Sequence, residues 1–239
     1  MNLTIDIGNT WTKLVVFDPN GTPCADQTVR MCDMLPAVQG ILGQYLIERC
    51  AVCSVAKDDE SVKSSLDLMN CPILWVTGNT PVPFPVAYQS RNTLGADRLA
   101  AVVGGVTLYP NRNVLVVDAG TCVTYDLFTI GQGYVGGNIS PGIKMRLKAM
   151  HEMTARLPIV SKHGDAPEVG YDTESAIRAG AIQGLQYEIE GYVSYWRNRF
   201  PDLVLLFAGG NSRDLLDFER IGGIHERLLV SVGLNRLLQ

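Results

Sequence analysis

Two short segments of the chain carry an aspartate followed by glycine and by side chains with hydroxyl groups. The first is Asp6-Ile7-Gly8-Asn9-Thr10 and the second is Asp118-Ala119-Gly120-Thr121, and each comes directly after an apolar run. Glycine lets the main chain approach a ligand closely, and the amides and hydroxyls of such a turn suit phosphate oxygens. The aspartate would repel phosphate unless a cation, typically Mg²⁺, lies between them. The two segments therefore indicate binding of a metal–nucleotide between two facing domains.

The repetition strengthens this interpretation, because one Asp-x-Gly segment alone is as consistent with a simple tight turn. The two aspartates are offset by 112 residues in a chain of 239, close to half its length. A third segment, Leu205–Ser212, reads as a buried strand that ends in Gly209-Gly210. A flat base or ribose can lie against such bare backbone, although Gly-Gly after a strand is often only a turn.

The hydrophobic pattern predicts the same order of elements in both halves of the chain. In each half, three strands precede helices and further strands, which indicates an internal duplication. We therefore expect an α/β fold of two duplicated domains with mixed sheets and flanking helices, divided into residues 1–112 and 113–239. In the first half we predict strands at 3–7, 12–18, 23–30, 50–55 and 73–76 and helices at 34–48, 59–68 and 98–108. In the second half we predict strands at 114–118, 122–129, 134–139 and 203–208, helices at 141–153 and 173–200, and a short last helix.

Composition and charge favour a small-molecule partner. The chain has 46% hydrophobic and 18% charged residues and a net charge of −4. It contains no Lys/Arg-rich run, so we expect neither a nucleic acid nor an anionic membrane as partner. No apolar stretch approaches the ~20 residues that span a bilayer. We therefore expect a cytoplasmic protein with mostly reduced cysteines.

Other motifs that could carry chemistry are incomplete. The chain has no G-x-x-x-x-G-K-[ST] phosphate loop, and the single G-x-G-x-x-G match, at 131–136, joins two predicted strands instead of opening a helix. We interpret that match as a hairpin. Cys50 and Cys53 lie in a predicted buried strand with no second Cys or His pair to complete a zinc site, so we interpret them as packing thiols.

The ordered set of motifs resembles type III pantothenate kinases, the enzymes of the first committed step of coenzyme A synthesis. Those enzymes belong to the acetate and sugar kinase/Hsp70/actin superfamily. The resemblance implies that both domains have the ribonuclease H-like/actin-like ATPase fold. The motifs that carry it are DIGNT at 6–10, GADR at 95–98, VDAGT at 117–121, GGNISPG at 136–142 and AGGN at 208–211.

The resemblance implies a distinct role for each aspartate segment. Asp6 would position Mg²⁺, either directly or through a water molecule, and Asp118 would bind a monovalent cation, K⁺ or NH₄⁺. ATP is the implied co-substrate. Its implied contacts are Asp6, Ile7, Gly8, Asn9, Thr10, Trp11, Thr12, Lys13, Thr121, Gly209 and Gly210.

The resemblance also implies a pantothenate site built from Tyr88, Gly95, Ala96, Asp97, Arg98 and Thr173. Asp97 would be the catalytic base, because a carboxylate can orient the attacking alcohol by accepting its hydrogen bond. On sequence alone, Asp97 could instead serve only the first turn of the following helix, and Arg98 could anchor the loop. Tyr88 could be a packing residue, and Thr173 could be a helix N-cap.

The implied function is ATP-dependent phosphorylation of pantothenate to 4′-phosphopantothenate. Two alternatives remain open: another small-molecule kinase of the same superfamily, and a regulatory relative without catalytic activity. The family also implies a homodimer in which Thr173 lies near the interface and the second subunit completes the substrate pocket.

Overall fold

The structure, a computed structural model, describes residues 1–55, 60–210 and 217–239. Asp59, Asn211 and Ser212, which belong to predicted segments, lie outside the described residues. The strands are β1 (Asn2–Ile7), β2 (Thr12–Phe17), β3 (Pro23–Val29), β4 (Arg49–Ser54), β5 (Ile73–Trp75), β6 (Val114–Ala119), β7 (Cys122–Thr129), β8 (Gly133–Pro141), β9 (Val204–Ala208) and β10 (Ile224–His225). The helices are α1 (Met34–Gln44), α2 (Glu60–Leu66), α3 (Ala96–Leu108), α4 (Ile143–Glu152), α5 (Thr173–Arg199) and α6 (Leu229–Leu237).

The described strands form two sheets with the same connectivity. The order is β3-β2-β1-β4-β5 in the first sheet and β8-β7-β6-β9-β10 in the second. In both sheets the first strand of the half pairs antiparallel with the second and parallel with the fourth. The predicted α/β fold of two duplicated, mixed-sheet halves is therefore confirmed, and β10 is an additional strand that the sequence did not predict.

Contacts divide the described chain into two compact units. The first comprises Met1–Pro110, Gly131–Val135 and Leu228–Gln239, and the second comprises Asn111–Ile130 and Gly136–Arg227. A single division at residue 112 would have placed α6 with the second unit, whereas its contacts place it in the first. The reason is the packing of α6 on α3.

The first sheet buries one face against helices because apolar side chains alternate along β1. Leu3, Ile5 and Ile7 are fully buried in one cluster with Met34 and Val38 of α1. Asp6 points to the other face of the strand and is partly exposed. The alternation therefore leaves the aspartate outside this core, at the carboxyl end of β1.

Helix α3 crosses α6 at two glycines. A Cβ on Gly104 would overlap the carbonyl oxygen of Leu229, and a Cβ on Gly233 would overlap the carbonyl oxygen of Ala100. Only glycine allows the two backbones to approach this closely. The crossing fixes the position of α3, which begins at Ala96, two residues earlier than predicted, with Gly95 as its N-cap residue.

Candidate active site

Asp6 lies in a row of side chains across the first sheet. Its partners in strand register are Lys13 on β2 and Cys53 on β4, so the three side chains share one face. The Cys53 thiol donates a hydrogen bond to Asp6 Oδ1 at 3.4 Å. Sequence patterns did not indicate this role for Cys53; a strand alignment that paired residues 6 and 53 would have shown it.

Burial and a second carboxylate perturb the ionisation of Asp6. Burial, and then the nearby charge of Asp97, raise the pKa of Asp6 from 3.8 to about 6, against smaller lowering effects of Cys53 and Lys13. Burial and the same two carboxylates raise the pKa of Cys53 well above its usual range, so Cys53 remains a protonated donor. Asp6 and Asp97, from motifs about ninety residues apart in sequence, therefore lie close enough to interact.

Between β1 and β2, residues 8–11 form a tight tip. The Gly8 amide donates to the Trp11 carbonyl at 3.0 Å, and a Cβ on Gly8 would lie 3.1 Å from that oxygen. Asn9, Thr10 and Trp11 are exposed, whereas Ile7 and Thr12 on either side are fully buried. The polar groups of the tip are thus held by a rigid base and remain accessible to a ligand.

Asp97 and Arg98 lie in the first turn of α3, with different exposure. Asp97 Oδ1 accepts a hydrogen bond from the Arg98 amide at 2.8 Å, and its place in the first turn agrees with the alternative of a role at the helix terminus. The same carboxylate also influences Asp6, so the helix position does not exclude a catalytic role. Arg98 is 5% exposed, and its guanidinium carbon lies 5.6 Å from the ring centre of Tyr88.

The loop that precedes α3 is closed by Arg91. Its guanidinium donates to the carbonyl oxygens of Gly78 and Thr80 at 2.8 and 2.9 Å. A Cβ on Gly78 would overlap the Arg91 carbonyl oxygen and lie 2.7 Å from that of Leu94. The two ends of the loop are therefore in direct contact, which positions Gly95 and the start of α3.

In the second unit, Asp118 occupies the sheet position that Asp6 has in the first, but with other neighbours. Its register partners are Thr124 and Ala208, where Asp6 has Lys13 and Cys53. The tip is also shorter, because only Gly120 and Thr121 separate β6 from β7. The duplicated aspartates thus differ in environment, since the row of Asp118 lacks both the lysine and the thiol.

Gly209 brings backbone and carboxylate oxygens together beside Asp118. It has a positive φ of 88°. A Cβ at this residue would lie 2.6 Å from Asp118 Oδ1 and 2.7 Å from the Ala119 carbonyl oxygen. Only glycine fits here, and the two oxygens are of the type that alkali cations prefer. Gly210 is exposed, and Asn211, the last residue of the predicted AGGN motif, lies outside the described residues.

Thr173 is the exposed first residue of α5. The N-cap of this helix is Asp172, whose Oδ1 accepts a hydrogen bond from the Ser175 amide at 2.7 Å. The alternative that Thr173 is the N-cap is therefore wrong. The cap leaves the Thr173 side chain exposed at the helix start.

A hydrogen-bond network that the sequence did not predict holds the GGNISPG segment against α5. Glu188 accepts from the Tyr125 hydroxyl at 2.7 Å and pairs with Arg146. Arg146 also donates to the Pro141 carbonyl and to the Ser140 hydroxyl, each at 2.8 Å. These groups come from four elements, so sequence spacing could not reveal that they meet.

The residues at Asp6 fit a hydrated Mg²⁺ ion. Among the described residues no group of three or more His, Cys, Asp and Glu side chains is arranged to hold a metal ion. Mg²⁺ in nucleotide sites typically takes one or two carboxylates and completes its shell with water and phosphate. A carboxylate pair whose mutual repulsion raises one pKa is a donor set that a divalent cation would relieve.

Comparison with known proteins gives consistent matches. A family model described as type III pantothenate kinase matches residues 2–195. A protein named type III pantothenate kinase from Bacteroides fragilis is 40% identical over 239 residues, covering 100% of this chain and 97% of its own length. A protein of the same name from Phocaeicola vulgatus is 39% identical, with 100% and 98% covered.

Solved structures show the same fold at low identity. A protein named as a Baf family transcriptional activator from Campylobacter jejuni superposes with a TM-score of 0.63 at 22% identity, over 99% of this chain and 96% of its own. A ROK family glucokinase from Streptomyces griseus, solved with glucose and AMPPNP, gives a TM-score of 0.52 at 13% identity, with 98% of each chain covered. At these identities both similarities concern the fold alone.

Proposed function

Because the chain belongs to the type III pantothenate kinase family, we propose that it transfers the γ-phosphoryl group of ATP to the primary hydroxyl of pantothenate, giving 4′-phosphopantothenate for coenzyme A synthesis. The observation that carries this proposal is that the charge of Asp97 raises the pKa of Asp6. Asp6 belongs to the DIGNT segment, whose tip is of the type that binds phosphate, and Asp97 belongs to the GADR motif. A nucleotide site and an acceptor site within reach of each other are what phosphoryl transfer requires.

In this proposal Asp97 is the base that accepts the hydrogen bond, and then the proton, of the attacking hydroxyl. Arg98 binds carboxylate or amide oxygens of pantothenate through its fork of donors, and the ring of Tyr88 bounds the same site. Their arrangement supports these roles, since Arg98 lies over the face of Tyr88 and directly follows Asp97. Gly95 and Ala96 supply backbone at the helix start, and Thr173 is a further pantothenate contact.

ATP would bind through the tip at 8–11 with its flanking residues Ile7, Thr12 and Lys13, and through Thr121, Gly209 and Gly210. Mg²⁺ at Asp6 would neutralise phosphate charge. Lys13, next to Asp6 in the sheet row, adds a positive charge on the same face. The Asp118 carboxylate and the Ala119 carbonyl would hold K⁺ or NH₄⁺, supported by their convergence at Gly209.

We further propose a cytoplasmic homodimer. Strongly exposed large apolar side chains of the second unit support this proposal: Met153 at 84%, Ile159 at 78%, and Val169 at 82% and Tyr171 at 71%, of which the last two lie within four residues of Thr173 in sequence. Exposed apolar surface is typical of a protein interface. No helix of the described part of the chain has the length and apolarity to span a membrane. Sedimentation of the purified protein would measure the oligomeric state.

The decisive experiment measures ATP consumption by the purified protein. We expect turnover only with pantothenate, Mg²⁺ and a monovalent cation together, and none with a panel of sugars and other alcohols. Asp97→Asn should retain nucleotide binding and lose turnover by about 10²–10⁴-fold, the usual contribution of a general base. Full turnover by this variant would remove Asp97 from its role, and preference for another acceptor would refute the substrate assignment.

A further inference from the structure

The hairpin tip at 131–135, which contains most of the G-x-G-x-x-G match at 131–136, lies in the first compact unit. The β7–β8 turn includes Gly133, which has a positive φ of 75°, and a Cβ there would overlap the Pro85 carbonyl oxygen. Gly133 is therefore required for the tip to approach the segment at 84–88. The neighbouring Gly131 has nothing within 4 Å of its Cβ position.

Tyr134 holds that segment through its backbone. Its amide donates to the Pro85 carbonyl at 2.9 Å, and its carbonyl accepts from the Ala87 amide at 2.9 Å. Together these bonds form a parallel bridge between Tyr134 and Val86. The segment contains Pro85, follows Pro81 and Pro83 closely, and lies outside any regular strand. The segment belongs to no sheet of its own, so the bridge to Tyr134 holds its backbone in place.

The side chain of Tyr134 continues the contact. It is fully buried, and its ring stacks on Tyr88 with centres 6.3 Å apart and planes inclined by 11°. Tyr88 is in turn the ring over which the Arg98 guanidinium lies. The buried ring of Tyr134 therefore supports the half-buried ring of Tyr88, and the ring of Tyr88 in turn contacts the guanidinium group of Arg98.

We propose that Tyr134 is a positioning residue for pantothenate, which acts through Tyr88 and Arg98 and does not itself touch the substrate. This rests on the proposed function, in which Tyr88 and Arg98 contact pantothenate. The bridge to Val86 fixes the backbone around Tyr88, and the stacked rings fix the plane of Tyr88. Gly133 of the Gly-x-Gly sequence then contributes to the proposed pantothenate site, since only glycine lets the turn approach the Pro85 carbonyl.

The test compares Tyr134→Leu with Tyr134→Phe in steady-state kinetics. The leucine variant removes the ring and keeps the backbone bridge, so the KM for pantothenate should rise about three- to tenfold, the size expected for one lost aromatic contact. The KM for ATP should stay within about twofold of wild type, because the substitution leaves the proposed nucleotide tip at residues 8–11 unchanged. The phenylalanine variant keeps the ring and should restore the wild-type KM for pantothenate.

A second pair of variants tests the backbone contact independently. Gly133→Ala should raise the KM for pantothenate and speed hydrogen exchange of the Ala87 amide, whereas Gly131→Ala on the same turn should change neither. An unchanged pantothenate KM in folded Tyr134→Leu, or equal rises in both KM values, would overturn the proposal. Absence of pantothenate-dependent turnover in the wild-type protein would instead refute the proposed function.

Discussion

Asp6→Asn removes the carboxylate whose pKa burial and Asp97 raise from 3.8 to about 6. Without bound metal, the folded protein holds a proton on Asp6 more tightly than the unfolded chain does. Stability linked to this group is therefore fully present below about pH 4 and is lost as the pH rises to about 6. Asparagine carries no charge and still offers an oxygen to the Cys53 thiol. Above pH 6 the variant should be more stable than the wild-type protein.

The magnitude follows from the pKa difference. About two pKa units correspond to about 3 kcal/mol, and this is a ceiling because Asp6 is partly exposed to solvent. For a chain of this size, about 1 kcal/mol moves the melting temperature by about 2–4 °C. We therefore expect Asp6→Asn to melt as much as about 6–12 °C above wild type at neutral pH, and to match it near pH 4.

Scanning calorimetry from pH 4 to pH 8, with chelator and low salt, measures the difference directly. Asp67→Asn, at an exposed position on the surface, is the matched control and should leave the pH dependence unchanged. Asp97→Asn should recover part of the same gain, because the charge of Asp97 contributes to the raised pKa. A gap between Asp6→Asn and wild type that is the same at pH 4.5 and pH 7.5 would refute the electrostatic reasoning.

Three further changes test other contacts. Cys53→Val removes the donor to Asp6 and should weaken binding of Mg²⁺–ATP about three- to tenfold in calorimetric titration, while Cys53→Ser should bind normally; equal behaviour of the two would contradict the role of the thiol. Asp118→Asn should abolish activation by K⁺ in steady-state assays and leave the Mg²⁺ requirement in place; unaltered activation would exclude this cation site. Gly233→Ala should cost about 3 kcal/mol or more in chemical denaturation, because its Cβ would overlap the Ala100 carbonyl, whereas the exposed Gly40→Ala should be neutral or stabilising.

The sequence predicted the duplicated fold well because strong local signals marked its elements. Alternating or continuous apolar runs placed β1, β2, β6 and β7 within about a residue of their observed bounds. The two-residue β10 has no such run, so it depends on pairing with β9 and could not be predicted locally. The start of α3 was predicted two residues late, because Gly95-Ala96-Asp97 was assigned to the preceding loop.

The sequence could propose candidate site residues, but it could not show which side chains lie beside them. Asp6 and Asp97 belong to recognisable motifs, whereas Cys53 has only the pattern of a packing thiol, and strand register alone places it beside Asp6. Tyr134 had no signal either, since its role depends on a bridge to Val86, far away in sequence. Contacts between residues far apart in sequence are set by tertiary packing, and they cannot be inferred from the spacing of residues or from composition.

The crossing of α3 and α6 has a consequence for synthesis on the ribosome. Helix α3 carries Asp97 and Arg98 at its start, yet the helix that packs most closely against it, α6, follows the whole second unit in chain order. A nascent chain can form β1–β5 early, but it cannot seat α3 before residues 229–237 emerge. Ribosome-bound fragments that end before α6 should thus hold a folded first sheet on which α3 is not yet packed, so the site proposed at the start of α3 is completed only after α6 has been synthesised.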